Sequence, residues 1–165
     1  MLAPPKSDVC GLMSKVSRPQ LIIIGSGPLR AKLEHQAQQL GISDHVQFLG
    51  NRPHHEVALW MNRANVLCLT SRSEGMPNVV VEALVSGLPV VATAVGACPE
   101  LLADEPAARV CPSEDVGAIA AALKSVLEQP VDRKALAARH AAHYSWRRQA
   151  EAMLKLMAHF PLASP

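Results

Sequence analysis

Short apolar runs alternate with longer, mixed segments along this chain. The short runs are rich in β-branched side chains and are bounded by glycine, proline or polar residues, a pattern that favours buried strands. They predict strands at residues 20–24, 46–49, 66–70, 90–93 and 108–111. The intervening segments predict helices at about residues 8–16, 28–40, 55–63, 77–86, 100–103, 113–128, 131–142 and 146–159. The alternation of strands and helices predicts an α/β fold with a largely parallel sheet.

One predicted helix is apolar on nearly every side, which is typical of a helix buried in a core. It follows a polar loop at residues 71–76, and Pro77 suits its first turn. From Val79 to Val85 the helix is apolar except for Glu82. A buried carboxylate is tolerated only where it is paired, hydrogen-bonded or facing a polar pocket. Glu82 is therefore expected either to meet an arginine or backbone N–H groups, or to serve a ligand.

The composition predicts one folded domain, residues 1–160, followed by a loose tail at residues 161–165. Apolar residues make up 49% of the 165 and charged residues 18%, so the chain can bury a substantial core. Aromatic residues are only 3%, which argues against a stacking surface for single-stranded nucleic acid. The net charge of +2 is too small to indicate a polyanionic partner, and no nucleic acid is expected to bind.

The cysteines and the termini favour a cytoplasmic protein. Cys10, Cys68, Cys98 and Cys111 are far apart and form no C-x-x-C pair, which is typical of reduced thiols rather than of disulfides or a zinc site. No apolar run reaches the roughly 18 residues that span a membrane. The N-terminus lacks the charged-then-apolar order of a signal peptide.

Two loops are candidates for ligand binding, because parallel sheets bind ligands beyond the carboxyl ends of their strands. The first, Gly25–Gly27, allows close backbone approach at a helix start, although it is equally well explained as a tight turn. The second, Glu74–Val79, presents backbone N–H groups beside carboxylates. Backbone N–H groups suit a phosphate, and carboxylates suit hydroxyl groups. A nucleotide-sugar carries both, so it is the ligand that this loop suggests. The chain has no D-x-D pair and no histidine cluster with ligand spacing, so a metal-independent mechanism is expected.

Several motifs follow one another in an order that is similar to a known family. They are Val46–Gly50, Ala64–Val66, Ser71 with Glu74–Leu84, Ser86–Thr93, Pro99–Leu101 and Ser145–Trp146. Over about residues 20–160 the chain thus resembles the retaining, GT-B-fold glycosyltransferases of family 4. The resemblance implies two Rossmann-like domains, of which the C-terminal one holds the nucleotide-sugar donor. The chain resembles that C-terminal domain alone, a parallel sheet with helices on both faces.

The resemblance also assigns roles to residues, position by position. Glu74 matches the catalytic-site carboxylate that contacts hydroxyls of the donor sugar, and Glu82 matches the carboxylate that holds the ribose hydroxyls. The resemblance implies no cofactor and no metal, with a nucleoside diphosphate sugar as the donor substrate. The remaining donor-binding positions are the backbone of Met76, Pro77, Asn78 and Val79, Gly27 facing the phosphates, and Arg52 near the base.

The chain departs from the family at its beginning. The family has a Gly-Arg at the end of a first strand and a lysine a few residues later, both of which stabilise the leaving diphosphate. The chain begins at Met1, and Lys6 is either that donor-binding lysine or an ordinary exposed one. The sheet is therefore expected to lack its usual first strand, which would lie between the strands at 20–24 and 66–70. We expect those two strands to pair directly, to accept a strand from another chain, or to leave a groove that promotes self-association.

The expected function is donor binding in a retaining, metal-independent glycosyltransferase that transfers a sugar to a hydroxyl acceptor in polysaccharide or glycan synthesis. The acceptor-binding N-terminal domain of the family has no counterpart in the chain, so negligible transfer by this chain alone is expected. The full enzyme is placed in the cytoplasm or at the inner face of the membrane. Two alternatives stay open: a non-catalytic remnant or assembly module that keeps the fold, and a sugar-nucleotide epimerase of related fold. The spacing of Glu74 and Glu82 favours the transferase.

Overall fold

The computed structural model of the chain describes residues 19–145 together with residues 148, 150, 151 and 155. Three sequence predictions lie outside the described residues: the donor-binding role of Lys6, the short helix at 8–16 and the loose tail at 161–165. The helix expected at 146–159 lies largely outside them as well.

Residues 19–145 form five strands and six helices, which alternate as far as the last strand and end with two successive helices. The strands are β1 (Leu21–Ile24), β2 (Val46–Gly50), β3 (Leu67–Leu69), β4 (Val90–Thr93) and β5 (Ala108–Cys111). The helices are α1 (Arg30–Gln39), α2 (His54–Arg63), α3 (Asn78–Val85), α4 (Cys98–Leu102), α5 (Val116–Glu128) and α6 (Arg133–His143), with a 3-10 turn at Ser43–His45. The predicted α/β class is confirmed.

All strand pairings of the described residues are parallel, but they form two sheets rather than one. Strand β1 pairs with β2, starting at Leu21 opposite Val46. Strand β4 lies between β3 and β5, which makes the second sheet. Direct pairing of β1 with β3, one of three expectations for a sheet without its first strand, is not found among these strands. Each of the two has one strand partner within the described chain, and its other edge is free of β-pairing there.

The core is centred on α3 and β4, which confirms the prediction of a buried helix. Val80, Ala83 and Leu84 of α3 are fully buried, and they pack with Val90 of β4 and Leu136 of α6. The sequence suggested that Pro77 lies in the first turn of the helix, but in the structure it lies just before the helix. It precedes α3 in an extended conformation (φ −77°, ψ 94°), and its carbonyl oxygen accepts from Val80 N–H at 3.0 Å. The extended ψ of Pro77 is what turns the chain from the loop into the helix.

A single arginine fastens three helices to one another. The Arg133 guanidinium, at the start of α6, donates to the carbonyl oxygens of Met61 and Ala64 at the end of α2, both at 2.9 Å. It also donates to Gly87 O, just after α3, at 3.0 Å. These carbonyl groups at helix ends lack intrahelical partners, and Arg133 supplies them. The contact fixes α6 against the two helices on whose far ends the candidate site is built.

A buried carboxylate holds the other end of α6. The Glu105 side chain is 4% exposed; Oε2 lies 2.8 Å from His140 Nε2, and Arg139 Nη2 donates to both carboxylate oxygens. Ala107 N–H donates to Oε1 at 2.9 Å. Burial acts to raise the pKa of Glu105, but these hydrogen bonds outweigh it and hold the pKa below its ordinary value. The sequence alone does not connect Glu105 with His140, since the two lie 35 positions apart.

Replacing Glu105 with glutamine is expected to remove part of the acid sensitivity of the fold. Because the folded-state pKa is lowered, the charged Glu105 stabilises the fold fully above its ordinary value of 4.5, and this stabilisation is lost as the pH falls through the lower folded value. Glu105→Gln should therefore be less stable at neutral pH by about 2 kcal/mol, the scale of hydrogen bonds to a charged group. Its stability should also fall less than that of the wild type from about pH 5 to about pH 3.

Urea unfolding at a series of pH values measures both effects. Glu100→Gln is the matched control, since Glu100 is an exposed residue of the neighbouring helix α4. An acid limb as steep in Glu105→Gln as in the wild type would contradict the assignment.

Candidate functional site

The predicted ligand-binding residues all follow the carboxyl ends of strands. Gly27 follows β1, and Arg52 follows β2 in the first sheet. The loop from Glu74 to Pro77 follows β3 and leads into α3 in the second sheet. No hydrogen bond or ion pair of residues 19–145 joins the first group to the second. The candidate site therefore has two separate parts, one at the carboxyl ends of the strands of each sheet.

The glycine loop after β1 is open. Gly25 N–H donates to Gly50 O at 2.9 Å, and Gly25 has φ +133°, a conformation that favours glycine. A Cβ on Gly25 or on Gly27 would find no atom within 4 Å. Helix α1 begins at Arg30, two residues later than predicted, after a turn in which Arg30 N–H donates to Gly27 O at 3.2 Å. The backbone at Gly27 can thus be approached closely from outside.

Two arginines lie near this loop in different settings. Arg30 donates to Phe48 O at 3.1 Å and to Glu34 at 2.8 Å, so it is engaged in holding α1 to the end of β2. Arg52, the predicted base-side residue, has a looser partner: Nη1 lies 3.8 Å from Glu56 Oε2, and both side chains are 39% exposed. Surface pairs of this kind contribute little stability. Arg52 is therefore free to reorient towards a ligand.

Glu74 is held from one side. It is half-buried, and its Oε1 accepts from Ser71 Oγ at 2.6 Å. The Ser71 carbonyl oxygen in turn accepts from Thr93 Oγ1 at 2.6 Å, and Thr93 is buried at the end of β4. Burial raises the pKa of the nearby Cys98 thiol, and the charge of Glu74 raises it further. Cys98 is thus kept as a neutral thiol beside the carboxylate.

Glu82 is half-buried on α3, and its carboxylate has no ion pair or hydrogen bond within residues 19–145. The alternative in which an arginine or backbone N–H groups satisfy it is not found in that part of the chain. Around the start of α3, Pro77 is buried, Val79 is half-buried, and Asn78 and Met76 are exposed, Met76 to 57%. The Glu82 carboxylate is therefore available to accept hydrogen bonds from a ligand.

Sequence reasoning missed the support beneath Glu74. Thr93, Gly96 and Ala97 belong to β4 and the loop that follows it, and they contact the Glu74 loop. The sequence offered a signal, because Thr93 ends a motif already matched to the family, but it gave no reason to connect the two loops.

Metal clusters and membrane-spanning helices are both absent from the residues that the structure describes. No group of three or more His, Cys, Asp or Glu side chains among them is arranged to hold a metal ion. Within the same residues, no helix combines the length and the apolar character needed to cross a membrane. Cys68, Cys98 and Cys111 carry free thiols.

Comparison with known proteins identifies the relatives of this chain. The family described as Glycosyl transferases group 1 matches residues 9–143. The D-inositol 3-phosphate glycosyltransferase of Corynebacterium urealyticum is 36% identical over 141 residues, which is 83% of this chain and 33% of that protein. The chain thus spans about a third of the length of this curated relative.

Solved structures show the same fold. Sucrose-phosphate synthase from Thermosynechococcus elongatus superposes with a TM-score of 0.78 at 28% identity, over 96% of this chain and 43% of that one. HepE (Alr3699) of Anabaena, solved in complex with UDP, gives a TM-score of 0.76 at 20% identity, over 96% of this chain and 47% of that one. These likenesses confirm the predicted Rossmann-like fold of GT-B glycosyltransferases.

Proposed function

The chain belongs to the glycosyl transferases of group 1, and we propose that it is the donor-binding part of a retaining, metal-independent enzyme of this kind. The full enzyme transfers a sugar from a nucleoside diphosphate to a hydroxyl acceptor, in polysaccharide or glycan synthesis. The acceptor is bound by a part of the enzyme outside this chain, which spans only about a third of its curated relative.

This proposal is supported above all by two carboxylates that have acceptor oxygens without a protein partner in the described part of the chain. Glu82 has no protein partner within residues 19–145, although it is half-buried. Glu74 uses one oxygen to accept from Ser71, which leaves Oε2 free. Carboxylates only accept hydrogen bonds, so they suit ligand groups that donate them, above all sugar hydroxyls. We propose that Glu82 accepts hydrogen bonds from the ribose hydroxyls and that Glu74 accepts them from the hydroxyls of the donor sugar. The contact with Glu74 orients the sugar for reaction.

The diphosphate needs the opposite chemistry. It is bound by positive charge and by backbone N–H groups, and the N-terminal ends of helices supply both. The open backbone at Gly27, ahead of α1, and the amides of Asn78 and Val79, at the start of α3, are the candidates, while Pro77 has no N–H to donate. Lys6 and Arg52 are the proposed side-chain cations. Because developing charge on the leaving phosphate is what these groups stabilise, they act on the chemical step.

The mechanism places no general base among the described residues. In the proposed reaction the leaving phosphate oxygen takes the acceptor proton, so the protein has to orient and stabilise rather than to deprotonate. We therefore expect this chain alone to bind the donor without transferring its sugar.

Two further proposals concern partners and location. The unpaired edges of β1 and β3 could accept a strand lying between them, which gives the chain a route to self-association or to docking with the rest of the enzyme.

The free thiols of the described chain support a reducing, cytoplasmic location, and a lipid-linked acceptor would bring the full enzyme to the inner face of the membrane.

Calorimetric titration with UDP, GDP and ADP tests donor binding directly. We expect saturable binding of one nucleotide, and UDP is the first to test because the Anabaena structure contains it. Binding should persist when EDTA replaces Mg²⁺, since the amides and cations rather than a metal hold the diphosphate.

Absence of binding by all three nucleotides would overturn the proposal and favour the non-catalytic assembly module. Binding that needs Mg²⁺ would overturn its metal-independent part alone.

A further inference from the structure

Glu74 is connected to the core through Ser71, whose backbone carbonyl and side-chain hydroxyl each make one hydrogen bond. Thr93, only 1% exposed at the end of β4, donates its hydroxyl proton to Ser71 O at 2.6 Å. A second oxygen, Leu69 O, lies 3.5 Å away, so the shorter contact is the hydrogen bond. The Ser71 hydroxyl must donate to Glu74 Oε1, because an ionised carboxylate only accepts. Thr93 thus holds the backbone of Ser71, and the side chain of Ser71 holds Glu74.

The backbone of Glu74 is supported from the neighbouring loop as well. Gly96 has φ +53°, and a Cβ at this position would collide with the carbonyl oxygens of Glu74 and Gly75. The next residue, Ala97, donates its N–H to Gly75 O at 3.0 Å. The loop after β4 therefore lies directly against the loop after β3, at a distance that only glycine allows.

These contacts restrain Glu74 at its backbone and at one carboxylate oxygen, and they leave Oε2 free. A restrained acceptor loses less conformational freedom when a ligand arrives, so it binds more tightly than a mobile one. The restraint comes from β4, which belongs to the buried core and carries no predicted ligand contact of its own.

We infer that Thr93, Ser71 and Gly96 are positioning residues that hold Glu74 ready for the sugar of the donor. The inference rests on the proposed donor-binding function and adds to it the means by which the sugar, as distinct from the nucleotide, is selected. None of the three residues has to touch the ligand. Their effect should therefore appear in the sugar-dependent part of the affinity and not in the affinity for the nucleotide alone.

The test is the ratio of the dissociation constants for UDP-glucose and UDP, or for GDP-mannose and GDP if GDP is the nucleotide that binds. Ser71→Ala should raise this ratio about tenfold, the effect of losing one charge-assisted hydrogen bond. Thr93→Val loses a neutral hydrogen bond to the Ser71 carbonyl oxygen and should raise the ratio by a smaller factor. Both variants should change the affinity for the nucleotide less than about twofold. Ser71→Thr and Thr93→Ser keep the hydroxyl groups and should restore the wild-type ratio.

Ser73→Ala is the matched control, because Ser73 is exposed on the same loop and makes no hydrogen bond within the described chain. A wild-type ratio in Ser71→Ala would overturn the inference. So would an equal loss for nucleotide and nucleotide-sugar, which indicates general damage to the loop. If Thr93→Val fails to fold, Ser71→Ala, at a half-buried position of the loop, still decides the question.

A second measurement needs no ligand and so separates this inference from the proposed function. Ser71→Ala should move the ¹³C resonance of the Glu74 side-chain carboxylate at neutral pH, and Gly96→Ala should speed hydrogen exchange at the Ala97 amide. Ser73→Ala should change neither signal. If the wild type binds no nucleotide but these changes occur, the proposed function fails while the restraint of Glu74 by Ser71 and Gly96 stands. If neither change occurs, that restraint is wrong whatever the chain binds.

Discussion

Replacing Gly87 with alanine is expected to destabilise this protein by about 3 kcal/mol, which lowers Tm by about 10 °C. Gly87 has φ +68°, where a non-glycine residue is strained by about 1–2 kcal/mol. A Cβ there would also run into the backbone of Arg133, whose carbonyl carbon would lie 2.9 Å away. Backbone cannot yield as a flexible side chain does, and overpacking of this kind adds about 1–3 kcal/mol. The collision falls where Arg133 fastens α6 to α2 and α3.

Gly41→Ala provides the matched control for this prediction. Gly41 has nearly the same conformation, φ +69°, but a Cβ there would meet nothing within 4 Å. Thermal and urea unfolding of both variants should give a loss of about 1 kcal/mol for Gly41→Ala, which reports the strain alone. Equal losses in the two variants would show that α6 does not pack on Gly87 as described.

Replacing Glu82 with glutamine is expected to weaken nucleotide binding on the order of a hundredfold, equivalent to about 3 kcal/mol. Glutamine has the same shape but lacks the charge, and it replaces one of the two acceptor oxygens with an NH2 group that can only donate. Because Glu82 has no protein partner within residues 19–145, the substitution should leave the free energy of unfolding unchanged within about 0.5 kcal/mol. A binding defect without a stability defect is the signature of a ligand contact.

The ribose can be tested from the ligand side. The wild type should bind 2′-deoxy-UDP more weakly than UDP, and this difference should be smaller in Glu82→Gln, because a neutral amide oxygen accepts from the hydroxyl more weakly than a carboxylate does. Asp104→Asn, which removes one charge from an exposed position between α4 and β5, is the control for the change in net charge. Full discrimination between the two ligands in Glu82→Gln would show that the ribose hydroxyls lie elsewhere.

The positions of the secondary elements were largely available from the sequence. The runs at 90–93 and 108–111 coincide with β4 and β5, and the others agree with their strands to within two residues at each end. This agreement follows from the apolar periodicity, which reports how each short segment is buried. Helix starts were less accurate, because α1 and α3 begin only after extended or turn residues that periodicity does not detect.

The pairing of distant residues was not available from the sequence. Glu105 and His140 are 35 positions apart, and Thr93 and Ser71 are 22 apart, yet each pair is joined by a hydrogen bond shorter than 3 Å. No local pattern around Gly96 indicates that the loop lying against it requires a glycine there. Such contacts depend on how whole elements pack, and no local pattern encodes them.

By itself, the sequence determined the α/β class, the family to which the chain belongs, and Glu74 and Glu82 as the candidate carboxylates. These rest on composition, periodicity and ordered motifs, which are properties of neighbouring residues. Only the tertiary structure decided that the described strands divide into two sheets, that Glu82 lacks a protein partner there, and that Glu74 is held by Ser71 and Thr93. The physical reason is that edges, partners and restraints arise where separate elements meet in space.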